Sequence, residues 1–152
     1  MDIVDALVGE HGVLGAECED LEGLVALASS LAEVRAQTAL LASGLQSHAQ
    51  VEDELLFTAL EPSLGASSPV LQGMRMMHED IDRGLARAVQ ARDLAEIRDA
   101  LLGVLDLTRQ HFMGEEQVVF PLARDTLPLA IREHLGSQWA DRRGIFRLAI
   151  GS

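Results

Sequence analysis

His48-Ala-Gln-Val-Glu52-Asp-Glu-Leu-Leu-Phe57 and His111-Phe-Met-Gly-Glu115-Glu-Gln-Val-Val-Phe120 decide the fold of this chain. They align at an offset of 63 residues, and each reads His-x3-Glu, then an apolar pair and Phe. Residues four apart share one face of a helix about one turn from each other, so each stretch aims an imidazole and a carboxylate into the same space. The flanking sequence keeps the spacing of three and four that marks helices packed on one seam. One stripe runs Val4, Leu7, His11, Leu14, Cys18, Leu21 and Val25, and a second Leu31, Val34, Thr38, Leu41, Leu45, His48, Glu52 and Leu55. A third is Leu71, Met74, His78, Ile81, Leu85 and Ala88, and a fourth Ile97, Leu101, Val104, Thr108, His111, Glu115, Val118 and Leu122. No stretch alternates with a period of two for long enough to make a sheet.

Ser30 with Glu33, and Asp93 with Glu96, are capping-box patterns that open new helices. Pro62 and Pro69 bracket the clearest break in the chain. The spacing predicts helices near 2–28, 30–61, 69–91 and 93–124. Short links between long amphipathic helices favour antiparallel neighbours, so the expected fold is all-α, an up-down antiparallel four-helix bundle. It occupies residues 1–127. Residues 128–152 are read as a C-terminal extension, with one short helix over Leu129–Leu135 and a tail carrying Arg142, Arg143 and Arg147.

Four of the five histidines lie on the apolar stripes, one per helix. His11 and His48 are equidistant from the Ser29–Ser30 turn. His48 and His78 are equidistant from residue 63, inside the Pro62–Pro69 loop, and His78 and His111 from a point beside Asp93. In an antiparallel hairpin such residues stand at one height. The four imidazoles therefore converge at one level of the interior, with Glu52 and Glu115 beside them. Burying two carboxylates without compensation costs several kcal/mol per ion, and no Lys or Arg on the stripes offers a counter-charge. A bound cation resolves the conflict, because neutral imidazoles and carboxylates become ligands. Six ligands exceed the four of a tetrahedral zinc and suit two ions about 3.5–4 Å apart that share bridging carboxylates. A polar His–Glu network without metal is the competing arrangement.

These residues resemble the hemerythrin-like (HHE cation-binding) family over about residues 3–124. The motifs are Glu10-His11, His48-x3-Glu52, His78-Glu79 and His111-x3-Glu115. The resemblance implies that His11, His48, Glu52, His78, His111 and Glu115 ligate two non-haem iron ions, joined by an oxo or hydroxo bridge, with the two carboxylates bridging. Ferritin-like di-iron proteins use Glu-x-x-His instead, and no His here has a Glu three residues before it. Oxygen-carrying hemerythrins place a further His one turn after the third-helix His, where this chain has Asp82. Three readings of Asp82 stay open: a ligand, a hydrogen-bond partner of His78, or a solvent-facing residue. Losing that imidazole argues against reversible oxygen carriage and favours peroxide, nitric oxide or iron-handling chemistry. The function implied is binding of, or reaction with, oxygen, peroxide or nitric oxide. Turnover is left undecided. Iron storage, iron sensing and a metal-stabilised interaction module are the alternatives.

Composition agrees with a domain of this kind. In 152 residues, 48% are apolar, and 12 Lys and Arg face 24 Asp and Glu for a formal charge of −12. Such a balance argues against nucleic acid or an anionic membrane as the partner. The partner that the resemblance implies is a small diatomic or peroxide ligand, and a monomer or homodimer is expected. There is no Tyr, which excludes a tyrosyl mechanism, and the single Cys cannot form an internal disulfide. The start lacks the basic stretch of a secretory signal, and the expected compartment is the cytoplasm. Cys18 is expected in the core, Phe57 and Phe120 beside the site, and Met74, Met76 and Met77 as core fillers. Thr108 is expected to bond a ligand or bound water. His134, beyond the bundle and without a matched partner, is left out of the site. The acidic runs at Glu17–Glu22 and Glu52–Glu54 are expected to be solvated faces.

Overall fold

Three of the long helices begin where the sequence supplies a side-chain oxygen for their orphan amides. Asp2 Oδ1 accepts from Val4 N at 2.9 Å, Ser30 Oγ from Glu33 N at 3.3 Å, and Asp93 Oδ1 from Glu96 N at 2.9 Å. The computed structural model describes residues 1–145; residues 146–152 of the expected tail, Arg147 among them, lie outside these. The helices are α1 (Ile3–Leu27), α2 (Leu31–Val51), α3 (Thr58–Leu64), α4 (Pro69–Val89), α5 (Leu94–Gly114), α6 (Phe120–Thr126) and α7 (Leu129–Arg142), with no strand among the described residues. A π-helical turn over Glu52–Phe57 joins α2 to α3, and another over Glu115–Val119 joins α5 to α6. The chain thus forms four long rods in an up-down bundle, and α7 lies against α1.

The core is split into two layers. Leu7, Leu56, Phe57, Leu60, Leu71 and Phe120 belong to one apolar cluster. Leu14, Cys18, Leu41, Leu85, Ile97 and Leu101 belong to the other. His11, His48, His78 and His111 fall between them on their own rods, so the polar layer is sealed above and below. No helix of the described residues is long and apolar enough to cross a membrane.

The π-turns alter the expected seam. Phe120 N donates to Glu115 O, five residues back, which inserts one residue into the helical repeat. Beyond Glu115 the inward residues become Val119 and Ala123, and Val118, expected on the seam, is exposed. The same step after Glu52 buries Leu56, Phe57 and Leu60. Other differences are local. The second rod runs through Pro62 to Leu64 and stops at Gly65, whose φ of 88° suits glycine. The helix after Pro128 reaches Arg142 rather than Leu135, because Leu135, Gly136 and Trp139 are buried. Met76 is exposed and fills no core gap.

One close approach sets the spacing of α4 and α5. A Cβ on Gly84 would stand 2.8 Å from Val104 Cγ2 and 2.9 Å from its Cβ. Val104 is β-branched and stiff in a helix, so it cannot swing clear. Gly84→Ala is expected to cost about 1–3 kcal/mol of stability through overpacking. Adding Val104→Ala is expected to relieve the clash, so that the Gly84→Ala change costs less in the Val104→Ala background than in the wild type. Denaturant unfolding of the variants in a double-mutant cycle checks this.

Candidate metal centre

Glu52 and Glu115 sit at the first residue of each π-turn, one turn beyond His48 and His111, and both are completely buried. Each carboxylate spans the space between imidazoles of different rods. Glu52 Oε1 lies 3.1 Å from His48 Nε2 and its Oε2 3.2 Å from His78 Nε2. Glu115 Oε2 lies 3.2 Å from His11 Nε2 and its Oε1 3.3 Å from His111 Nε2. Two groups of convergent donors result: His11, His48, Glu52 and Glu115, and Glu52, His78, His111 and Glu115. Both carboxylates belong to both groups, the arrangement that two ions with bridging acids require.

The outward nitrogens are engaged elsewhere. Assigned from their partners, His11 Nδ1 donates to Glu116 Oε1 at 2.9 Å, His48 Nδ1 to Glu10 Oε2 at 2.6 Å and His78 Nδ1 to Asp53 Oδ2 at 3.3 Å. The inward Nε2 atoms of His11 and His48 face each other at 3.1 Å. Two lone pairs repel at that distance unless positive charge, a proton or a metal cation, is shared there. His78 Nε2, both nitrogens of His111 and all four oxygens of Glu52 and Glu115 are buried without a hydrogen-bond partner. Buried polar atoms are ordinarily satisfied, and this concentration of orphans fits a set of metal ligands. Aromatic rings close the space. Phe112 stacks on His11 at 4.0 Å between centroids, Phe120 on His11 at 5.2 Å and Phe57 on His78 at 5.9 Å.

Residues 2–123 match the family described as the hemerythrin HHE cation binding domain. The chain belongs to the hemerythrin HHE family. No curated protein and no solved structure matches it. The hemerythrin frame accounts for the four long rods and for His/Glu clusters that can hold a metal, while α7 lies beyond the matched segment.

All six residues expected at the site meet there. Asp82 joins neither donor group; it is half-buried and lines a small cavity beside His78 and His111. Cys18 is buried in the apolar layer, and burial pushes its thiol up to about 11, which keeps it inert. Thr108 Oγ1 is taken up by Val104 O at 2.8 Å rather than by the site. His134 is exposed and accepts from Gln138 Nε2. The acidic run at Glu52–Glu54 is no solvated face as a whole, since Glu52 lies in the site and Asp53 supports His78.

Sequence reasoning missed the carboxylates behind the imidazoles, and Phe112. Asp53 and Glu116 stand at the same 63-residue offset, directly after Glu52 and Glu115, so the repeat carried their signal. Trp139 Nε1 donates to Glu10 Oε1 at 2.7 Å and Arg143 Nε to the same oxygen at 2.6 Å. Nothing in the pattern of the first four helices points to either residue.

Electrostatics show how strongly the pocket demands positive charge. Burial lowers the affinity of His11, His48 and His78 for a proton, but the carboxylates outweigh it and carry them up to about 9, 10 and 10. Burial and then the charge of Glu52 push Glu115 up to about 8. Burial opposes ionisation of Glu52 too, yet His48, His11 and His78 hold it well below the usual carboxylate range. His111, with burial and the other imidazoles against it, falls to about 3 and stays neutral.

A group whose folded-state pKa is raised gives stability that is complete below its unfolded pKa and is lost as pH rises through the folded one. With metal removed by chelation, the thermal midpoint is expected to fall as pH rises from 6.5 toward 10, the window of the three raised histidines. With metal bound, cations replace those protons and the fall is expected to vanish. Circular dichroism melts across this range check both arms, and a flat metal-free profile contradicts the assignment.

Proposed function

We propose that this protein holds two iron ions at the His/Glu layer and binds, or reacts with, a small oxidant: oxygen, peroxide or nitric oxide. The observation that carries the reading is the sharing of Glu52 and Glu115 between two groups of buried, unsatisfied donors. His11, His48, Glu52 and Glu115 would hold one ion, and His78 and His111 with the same two acids the other. Mixed imidazole and carboxylate donors suit iron among the divalent metals. Two irons there supply redox-active coordination positions for a small ligand.

The surroundings support a small ligand over an organic substrate. His48, His78, His111, Ile81, Asp82 and Phe112 line a small cavity of about 10 Å³. That is space for roughly one water-sized molecule. Phe112, Phe57 and Phe120 exclude bulk water from the layer, and a dry site strengthens every charge interaction inside it. Asp82, on the cavity wall, is placed to accept a hydrogen bond from a ligand or water seated there. We place the protein in the cytoplasm, a reading supported by its lone, buried cysteine.

Anaerobic loading with ferrous iron, followed by oxygen, peroxide or nitric oxide, tests the reading through the visible spectrum. A stable adduct identifies binding, and sustained consumption identifies turnover. Iron uptake far above two per chain indicates storage, and silence toward all three indicates a structural metal. Glu52→Ala and Glu115→Ala are each expected to lose most bound metal, measured by elemental analysis. Retention of two irons per chain by either variant contradicts the bridging assignment. His134→Ala is expected to leave metal content unchanged.

A further inference from the structure

Three of the four imidazoles donate an outward N–H to a carboxylate, and the fourth does not. Glu116, Glu10 and Asp53 serve His11, His48 and His78. His111 Nδ1 is buried and has no acceptor among the described residues. The internal repeat shows where the symmetry breaks. Asp53 and Glu116 follow the two bridging acids, and each supports an imidazole of the other helical hairpin. Glu10 directly precedes His11 and supports His48. The residue directly preceding His78 is Met77, which has no oxygen to offer His111.

The extra acid is also the one that α7 holds. Trp139 Nε1 and Arg143 Nε grip Glu10 Oε1, and Arg143 Nη2 reaches Oε2 at 3.1 Å. Arg143 is itself tied to α2, through Ser47 Oγ at 2.5 Å and Ser47 O at 3.2 Å. Trp139 and Arg143 lie outside the segment that matches the hemerythrin family, so this grip belongs to the C-terminal extension and not to the bundle itself. An acceptor on the outward nitrogen fixes the ring and tautomer and strengthens the inward nitrogen as a ligand. At the His11–His48 position both rings have such an acceptor. At the His78–His111 position one ring has none, and the other leans at 3.3 Å on Asp53, which also faces Arg75.

We propose that the two metal positions are unequal by construction: the His11–His48 position fills first and holds its ion more tightly, and α7 sets this order by positioning Glu10 behind His48. The inference rests on the two-metal reading above. Trp139, Arg143 and Glu10 are positioning residues, acting on the metal only through His48.

Calorimetric titration of the metal-free protein with Fe²⁺ under anaerobic conditions tests it. Two binding steps are expected, separated by at least about tenfold in affinity, the lower end of what outer partners of ligands contribute. Trp139 is the only tryptophan and there is no Tyr, so intrinsic emission reports on the residue that grips Glu10. Its change is expected to be largely complete at the first equivalent. Glu10→Gln keeps the shape but removes the charge, and is expected to weaken the first step about 10–100-fold while leaving the second unchanged. Trp139→Phe is expected to weaken the same step to a smaller extent, and Met77→Glu to strengthen the second step. Far-UV circular dichroism confirms that each variant is folded. Two equal steps in the wild type, or equal weakening of both steps by Glu10→Gln, overturn the proposed order and leave the two-metal reading standing. A wild-type chain that binds no iron overturns both.

Discussion

Two carboxylates without any exposed surface, facing four imidazoles in a space sealed by aromatic rings, form the constraint on which the rest of this structure depends. An acid in that setting keeps its charge only beside compensating positive charge, since ions removed from water lose several kcal/mol of hydration each. Arginines are present but are used at the periphery. Arg98, for example, closes the end of α1 by donating to Val25 O and Ala28 O. The middle of the bundle is therefore left to protons or metal cations. The apolar layers on either side hold the rods at a spacing that keeps the six donor side chains together, with Gly84 allowing α4 and α5 to approach.

Local backbone geometry serves the same constraint. Glu52 and Glu115 each open a π-helical turn, and the inserted residue rotates the next stretch of helix about its axis. Without that step, Glu115 and Val118 would share one seam. With it, Glu115 points into the polar layer while Val119 and Phe120 close the apolar layer below. Such turns leave backbone groups less well satisfied than an α-helix does and are common at functional sites. Here both occur at the residue that spans two donor groups.

Pseudo-symmetry accounts for much of the site, and its failure accounts for the remainder. The repeat places His48 with His111, Glu52 with Glu115, and Asp53 with Glu116. It does not extend to Glu10, whose counterpart is Met77, nor to α7. The C-terminal helix covers one side of the bundle, with Arg132 paired to Asp2 at 2.7 Å and Trp139 buried against α1. One half of the His/Glu layer is thereby braced by a second element, and the other half faces the small cavity beside Asp82.

The sequence by itself determined the bundle and the convergence of six buried His and Glu side chains at its centre. A helix has a single repeat length, and an antiparallel hairpin equates distances from its turn, so His11, His48, His78 and His111 had to meet once their helices were recognised. It also carried, unread, the supporting role of Asp53 and Glu116, since the repeat marks both. Only the tertiary structure decided the rest. Whether Val118 or Val119 faces inward depends on the π-turn at Glu115, an inserted residue that a regular helical repeat does not mark. Whether Trp139 and Arg143 reach Glu10 depends on how α7 folds back across more than a hundred residues of chain, a contact that no periodicity encodes.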